Sequence, residues 1–191
     1  ALDASIIDGL VVSTDDVEIA DVASGYGVDV VRRPRELGSD SATTESVLLH
    51  VIDSLASCGK FFDIILVLEP TSPLRSVSTI HRATEMIIDN HFNSLLAIRE
   101  TRENVGILKD GFFRCIVPDA PRRRQLRTPF YIESSTIYAA RIDWFCRTKT
   151  LVCENWGALI VSDLEAVDIN TEEDFMFAEF LIFKGREGNH D

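Results

Sequence analysis

The chain has 191 residues, 46% hydrophobic and 26% charged, which is enough for one compact domain with a sizeable core and too little for two large ones. Its net charge of −12 disfavours nonspecific binding to nucleic acid or to an anionic membrane surface, because both need a basic face. No apolar run approaches the roughly 20 residues that span a bilayer, so no membrane partner is expected.

The N-terminus, Ala1-Leu2-Asp3-Ala4-Ser5-Ile6-Ile7-Asp8, has neither the basic stretch nor the cleavage signal of a secretory peptide, and a cytoplasmic setting is expected. It also lacks an initiator Met, so Ala1 reads as a truncation point. From there strand-like apolar runs alternate with helix-periodic stretches, the pattern of an α/β fold with a mostly parallel twisted sheet and helices on both faces. Leu10 to Thr14 reads as a strand, Val17 to Ser24 as a short helix stopped by Gly25 and Gly27, and Val28 to Val31 as a second strand. Thr43 or Thr44 can cap a helix running to about Ser57, whose Val47, Leu48, Val51, Ile52 and Leu55 share one face. Ile64 to Leu68 is the most strand-like run, and its unbroken apolar character predicts a central strand buried on both faces. Val77 to Ile88 is a predicted helix and Ser94 to Ile98 a predicted strand. Runs at Gly106 to Leu108 and Phe112 to Val117, around Lys109-Asp110-Gly111, predict a hairpin with an Asp-Gly turn. Ser135 to Ala140 and Ala158 to Val161 read as strands. The last helix spans about Thr171 to Phe183, with Thr171 as its N-cap and Asp174 as the N3 acid. One domain over residues 1–191 is expected, in which about Arg99 to Trp156 suits a small dimerisation subdomain. Cys58, Cys115, Cys146 and Cys153 form no CxxC pair and have no His at ligand spacing, so reduced structural thiols are expected.

Five segments place polar or basic groups where open α/β sheets hold their ligands, beyond strand ends. Ser13-Thr14-Asp15-Asp16 follows the first strand, and as pure structure Ser13, Thr14 or Asp15 caps the next helix. The long loop Arg32 to Thr44 carries arginines suited to phosphate or a nucleobase and ends on free helix amides. Leu68-Glu69-Pro70-Thr71-Ser72-Pro73-Leu74-Arg75 has a backbone stiffened by two prolines, which as pure structure end the strand, and offers hydroxyl and guanidinium donors. Pro121-Arg122-Arg123-Arg124-Gln125-Leu126-Arg127 concentrates four arginines in an acidic chain, either as a surface strip or as an anion site. In Val167-Asp168-Ile169-Asn170, alternation puts Asp168 and Asn170 on one side of an extended segment, two oxygen donors suited to Mg²⁺.

In this order the landmarks are STDD at Ser13 to Asp16, RPxxLxxD from Arg33 to Asp40, PTSPLR from Pro70 to Arg75, RRQ at Arg123 to Gln125, YxExxxIY from Tyr131 to Tyr138, and DINTEED from Asp168 to Asp174. Together they resemble the acylneuraminate cytidylyltransferase family, the CMP-sialic acid synthetases and their relatives acting on other nine-carbon or eight-carbon sugar acids. The resemblance spans nearly the whole chain and implies a Rossmann-like nucleotidyltransferase fold, a homodimer, and transfer of CMP from CTP to a 2-keto sugar acid with Mg²⁺ as cofactor. It implies that Arg33, Ala42 and Thr44 line the cytidine pocket. Arg124 would pair with the sugar carboxylate, with Glu69, Gln125 and Tyr138 on the sugar side. Asp168 and Asn170 would hold the metal. The family opens with a strand and a basic, Gly-containing loop that grips the triphosphate, which implies a strand-loop-helix unit of roughly 30 residues ahead of Ala1. Glu69 stands where Gln is usual, Ser134-Ser135 where Asn-Gly is usual, and Ile132 where a basic residue is common. These departures leave sialic, legionaminic, pseudaminic and octulosonic acids open as substrates. A nucleotidyltransferase for another sugar or nucleotide and a non-catalytic nucleotide-binding relative are the alternatives.

Overall fold

The computed structural model describes residues 1–39, 41–151 and 156–187. In chain order they form β1 (Val11–Thr14), α1 (Val17–Gly25), β2 (Asp29–Arg32), α2 (Thr44–Ser57), β3 (Ile64–Val67), α3 (Val77–Asp89), β4 (Ser94–Thr101), β5 (Gly106–Lys109), β6 (Phe112–Cys115), β7 (Phe130–Arg141), α4 (Ile142–Thr148), β8 (Gly157–Ile160) and α5 (Glu172–Glu187). Short 3₁₀ turns lie at Arg35–Gly38 and Arg124–Leu126. No described helix is long and apolar enough to cross a membrane. Cys58, Cys115 and Cys146 are free thiols, while Cys153 lies outside the described residues, as does Asp40 of the second loop.

The α/β alternation holds, but the sheet is mixed. β1 and β2 pair in parallel, Val11 opposite Asp29 through Thr14 opposite Arg32, with α1 as the crossover between them. A second sheet has the order β3-β7-β4-β8. In it β3 and β7 are antiparallel, Ile64 opposite Arg141 and Val67 opposite Tyr138, so the pairing is not all parallel. An apolar run looks alike in either direction; strand direction is set by the path between strands, which periodicity does not encode. The position of β3 is corrected. It stands at the end of the order with all four residues half-buried, whereas Leu95, Ala97, Ile137, Ala139 and Ala140 of β4 and β7 are fully buried.

The chain divides into two compact units, one of Ala1–Leu68, Arg75–Leu96 and Ile137–Gly157, the other of Glu69–Leu74, Ala97–Thr136 and Ala158–Asp191. In the first, Leu48, Ala140 and Phe145 form a core against Leu49, Ile52, Ile65, Val67, Trp144 and Leu151. A wholly buried Phe such as Phe145 stabilises by about 3–5 kcal/mol relative to alanine. Thr43 caps α2 by accepting from the Ser46 amide (3.2 Å), and Ser76 caps α3 by accepting from Thr79 (3.1 Å). The cap of α1 is Asp16, which accepts from the Ile19 amide at 2.9 Å, and not Ser13, Thr14 or Asp15. Ser13 and Thr14 are still strand, and the Thr14 hydroxyl accepts from the Asp16 amide (3.1 Å), so the helix begins one residue later.

In the second unit, the β5–β6 hairpin turns through Asp110 (φ 54°) and Gly111 (φ 79°). Two successive positive φ angles are what the Asp-Gly type I′ turn requires. At α5 the expected capping box is complete: the Thr171 amide donates to Asp174 Oδ2 (3.0 Å), and the Asp174 amide donates to the Thr171 hydroxyl (3.2 Å). Hydrogen bonds from the Asn170 amide first, then from the Thr171 hydroxyl and amide, hold the Asp174 carboxyl below the ordinary aspartate range, against burial and the charge of Asp168. A lowered folded pKa contributes stability that is complete above the unfolded value near ~3.9 and is lost as pH falls through the folded value. Asp174→Ala is therefore expected to lower the melting temperature at pH 7. The gap to the unsubstituted protein should close as the pH drops below about 4; a gap that stays constant through that range excludes this origin.

Candidate active site

Three groups of side chains coincide with the segments singled out in the sequence. In the first unit, Arg33 Nε lies 3.4 Å from Asp15 Oδ1, both side chains being partly covered. A Cβ on Gly38 would overlap the Asp15 carboxylate, which would have to shift to admit one. Arg32 donates to the Asp16 carbonyl (3.0 Å) and the Arg33 amide to the Thr14 carbonyl (3.1 Å), so the turn after β1 and the loop after β2 are joined. Beside this junction the Ser13 hydroxyl is buried without a hydrogen-bond partner among the described residues. Half-buried Ala42 and exposed Thr44 flank the N-cap Thr43, and the Ala42 amide donates to Ser39 (2.9 Å).

The second group, in the second unit, surrounds Asp168. The Ile169 amide donates to the Thr71 carbonyl (2.9 Å), which sets the DIN segment against the loop after β3. Ser72, buried, shares a 2.8 Å hydrogen bond with the Ser135 hydroxyl, and its amide donates to the Glu69 carbonyl at 3.2 Å. Asn170 Nδ2 donates to Asp168 Oδ2 at 2.9 Å, so the two residues stand side by side as alternation requires. The Asn170 amide is in turn held by Asp174 Oδ2 (3.1 Å), so the α5 cap fixes the residue next to Asp168. The Asp168 carboxyl lies below the ordinary range. The Thr71 hydroxyl acts most strongly in that direction; burial opposes it, and Asn170 and Ser135 add to it.

Asp168 Oδ1 is buried and accepts no hydrogen bond from the described residues. An ionised oxygen left without a donor suits a hard divalent cation, and a neighbouring amide side chain supplies the same class of ligand. Among the described residues no three His, Cys, Asp or Glu side chains converge on a metal site. The pair therefore fits Mg²⁺, which keeps several waters and takes substrate phosphates as its other ligands, and does not fit a metal caged by protein alone.

The third group lines a cavity of about 590 Å³ walled by Glu100, Thr101, Arg102, Arg124, Gln125, Val161 and Asp163. Arg124 Nε lies 3.1 Å from Glu103 Oε1, with both side chains mostly exposed (63% and 66%). Arg102 pairs with Glu100 (2.8 Å) and Arg99 with Asp163 (3.9 Å), so the cavity rim alternates in sign. Of the four residues expected on the sugar side, Arg124 and Gln125 share this cavity. Glu69 belongs to the loop that carries Thr71 and Ser72, and Tyr138 stands on β7 opposite Val67. Sequence reasoning missed Asp15 as the partner of Arg33, Ser135 as a neighbour of Asp168, and Glu100, Arg102, Glu103 and Asp163 at the cavity. The available signal was the run Arg99-Glu100-Thr101-Arg102-Glu103, alternating charges at a predicted strand end.

A family model described as Cytidylyltransferase matches residues 1–118. The chain is 34% identical to the pseudaminic acid cytidylyltransferase of Campylobacter jejuni, over 95% of this chain and 81% of that protein. It is 27% identical to the CMP-N,N'-diacetyllegionaminic acid synthase of Legionella pneumophila, over 98% of this chain and 83% of that protein. In fold it resembles a CMP:2-keto-3-deoxy-manno-octonic acid synthetase solved with CTP, with a TM-score of 0.70, 13% identity, and coverage of 96% of this chain and 84% of that one.

Proposed function

Because the chain belongs to the cytidylyltransferase family, we propose that it transfers CMP from CTP to a 2-keto sugar acid, a sialic acid or related nonulosonate, and releases pyrophosphate. The observation that carries the reaction class is the buried Asp168 Oδ1, without a hydrogen-bond donor among the described residues, with Asn170 beside it, an arrangement suited to metal-assisted transfer from a triphosphate. The sugar-acid class draws support from Arg124 and Gln125 in one cavity, and from relatives named for pseudaminic and legionaminic acids.

In this reading the anomeric hydroxyl of the sugar acid attacks the α-phosphorus of CTP in line, the bond between the α-phosphorus and the bridging oxygen breaks, and pyrophosphate departs. Asp168 and Asn170 would hold Mg²⁺, which would supply neutralisation of charge on the triphosphate. Arg124 takes the sugar carboxylate, exchanging Glu103 for it, and Gln125, Glu69 and Tyr138 contact the rest of the sugar. Arg33, Ala42 and Thr44 line the cytidine pocket, with Asp15 holding the Arg33 guanidinium. Most of the acceleration then comes from positioning and electrostatics. The test is pyrophosphate release by the full-length protein from CTP and Mg²⁺ with N-acetylneuraminate, N,N'-diacetyllegionaminate, pseudaminate and 3-deoxy-manno-octulosonate in turn. Release with at least one is expected, and silence with all four sinks the reading.

The same reading includes a homodimer formed through the region from about Arg99 to Trp156. Supporting it, the β5–β6 hairpin carries Ile107, Leu108, Phe112 and Phe113 well exposed, Leu108 at 77%, on the part of the chain where a second copy would cover them. Light scattering at micromolar concentration is expected to give twice the chain mass. Leu108→Lys with Phe112→Lys should shift it to the monomer; a monomeric unsubstituted protein counts against the dimer.

A further inference from the structure

Arg124 and Gln125 sit on a 3₁₀ turn of three residues, Arg124–Leu126, in a loop whose side chains from Arg122 to Leu126 are exposed. So short a turn has little of its own to keep it in place: the Leu126 amide donates to the Arg123 carbonyl (3.0 Å) and the Arg127 amide to the Arg124 carbonyl (3.2 Å). Arg127 supplies the rest. Its guanidinium donates from Nε to the Pro121 carbonyl (2.8 Å), from Nη2 to the Arg122 carbonyl (2.9 Å) and from Nη1 to the Arg102 carbonyl (3.0 Å). Arg102 answers in kind, donating from Nη1 to the Arg127 carbonyl at 2.6 Å while its Nε is held by Glu100 at 2.8 Å. Two of these carbonyls belong to the loop and the third to the residue that follows β4. The two arginines therefore clasp each other, side chain to backbone in both directions, and tie the loop to the end of β4.

The donors of Arg127 go to neutral carbonyls, and Arg127 is half-buried where its neighbours are exposed. The arginine cluster thus divides into one residue that builds the loop and others that face solvent. Resting on the reading of Arg124 as the carboxylate-binding arginine, we propose that Arg127 is the positioning residue of the sugar-acid site. It presets Arg124 and Gln125 in the cavity beside Thr101 and Arg102, so that carboxylate recognition depends on Arg127 without Arg127 touching substrate. A planar fork that reaches three carbonyls at once is a property of guanidinium; an ammonium on a flexible stem satisfies fewer of them at their present positions. The carbonyls it leaves are then free to turn, and the loop with them.

The test is steady-state kinetics of the full-length protein with CTP and whichever of the four sugar acids it turns over fastest. Arg127→Ala is expected to raise KM for the sugar acid by about tenfold or more while kcat and KM for CTP stay within about twofold, and Arg127→Lys should fall between. The decisive comparison is the double variant. If Arg127 acts through Arg124, adding Arg127→Ala to Arg124→Ala changes KM for the sugar acid by no more than about twofold. Full additivity, or an equal rise in KM for CTP, overturns the proposal. Should Arg127→Ala fail to fold by far-UV circular dichroism, Arg127→Lys alone and combined with Arg124→Ala decides on the same comparison. Failure of the underlying reading looks different: Arg124→Ala leaves KM for the sugar acid unchanged, or the unsubstituted protein releases no pyrophosphate, and the proposal then falls with it.

Discussion

Asp168→Asn is expected to lower the rate of pyrophosphate release by roughly 10²–10³-fold, with the far-UV circular dichroism unchanged. Asparagine keeps the size of the side chain, so Ile169 can still dock on Thr71 and the Ser72–Ser135 pair stays in place. What disappears is the negative charge on a carboxylate whose buried Oδ1 accepts no hydrogen bond from the described residues. That charge is present throughout the neutral and weakly acid range, because the Thr71 hydroxyl, with Asn170 and Ser135, holds the carboxyl below its ordinary pKa despite burial. A loss of activity between pH 8 and pH 5 therefore has another origin. Asn170→Ala should cost less, about tenfold, since it removes a neutral donor and leaves the anion. In both variants the Mg²⁺ concentration for half-maximal rate should rise. If Asp168→Asn retains activity within about threefold of the unsubstituted protein, Asp168 holds no metal in the reaction.

The parts of this molecule that were legible in advance are those whose chemistry is local. The α5 capping box needs only Thr171 and Asp174 three residues apart, and the hairpin turn only Asp110-Gly111 between apolar runs. The pairing of Asp168 with Asn170 follows in the same way from alternation in an extended segment. Direction and neighbours of strands do not follow. β3 looked central because Ile64–Val67 are all apolar, yet the middle of the order went to β7 and β4, where small Ala97, Ala139 and Ala140 admit close packing. Helix α4 escaped because Ile142–Thr148 spans two turns and is rich in aromatic and β-branched residues, too short for a 3.6-residue period to show. The site divides along the same line. Asp168, Asn170, Arg124 and Gln125 stand in motifs, whereas Glu103 and the Arg102–Arg127 clasp depend on the end of β4 meeting a loop about 20 residues later, a tertiary fact that spacing does not carry.

Arg124→Ala is expected to raise KM for the sugar acid by roughly ten- to a hundredfold, with KM for CTP within about twofold. The arginine now faces Glu103 at 3.1 Å, with both groups mostly in water, and exposed pairs of this kind contribute about 0–1 kcal/mol. A substrate carboxylate can replace Glu103 at little cost, and inside the cavity it gains a charge-assisted contact, shorter and stronger than the pair it displaces. Arg124→Lys keeps the charge and loses the two-pronged geometry, so its KM should lie between the unsubstituted and alanine values. Glu103→Gln works in the opposite sense: with no carboxylate to displace, KM for the sugar acid should fall by up to about fivefold, more at low salt than at high salt. The two substitutions therefore move KM in opposite directions only if Arg124 is the group that meets the substrate carboxylate. A rise in KM for CTP equal to that for the sugar acid places Arg124 on the nucleotide and sinks the assignment.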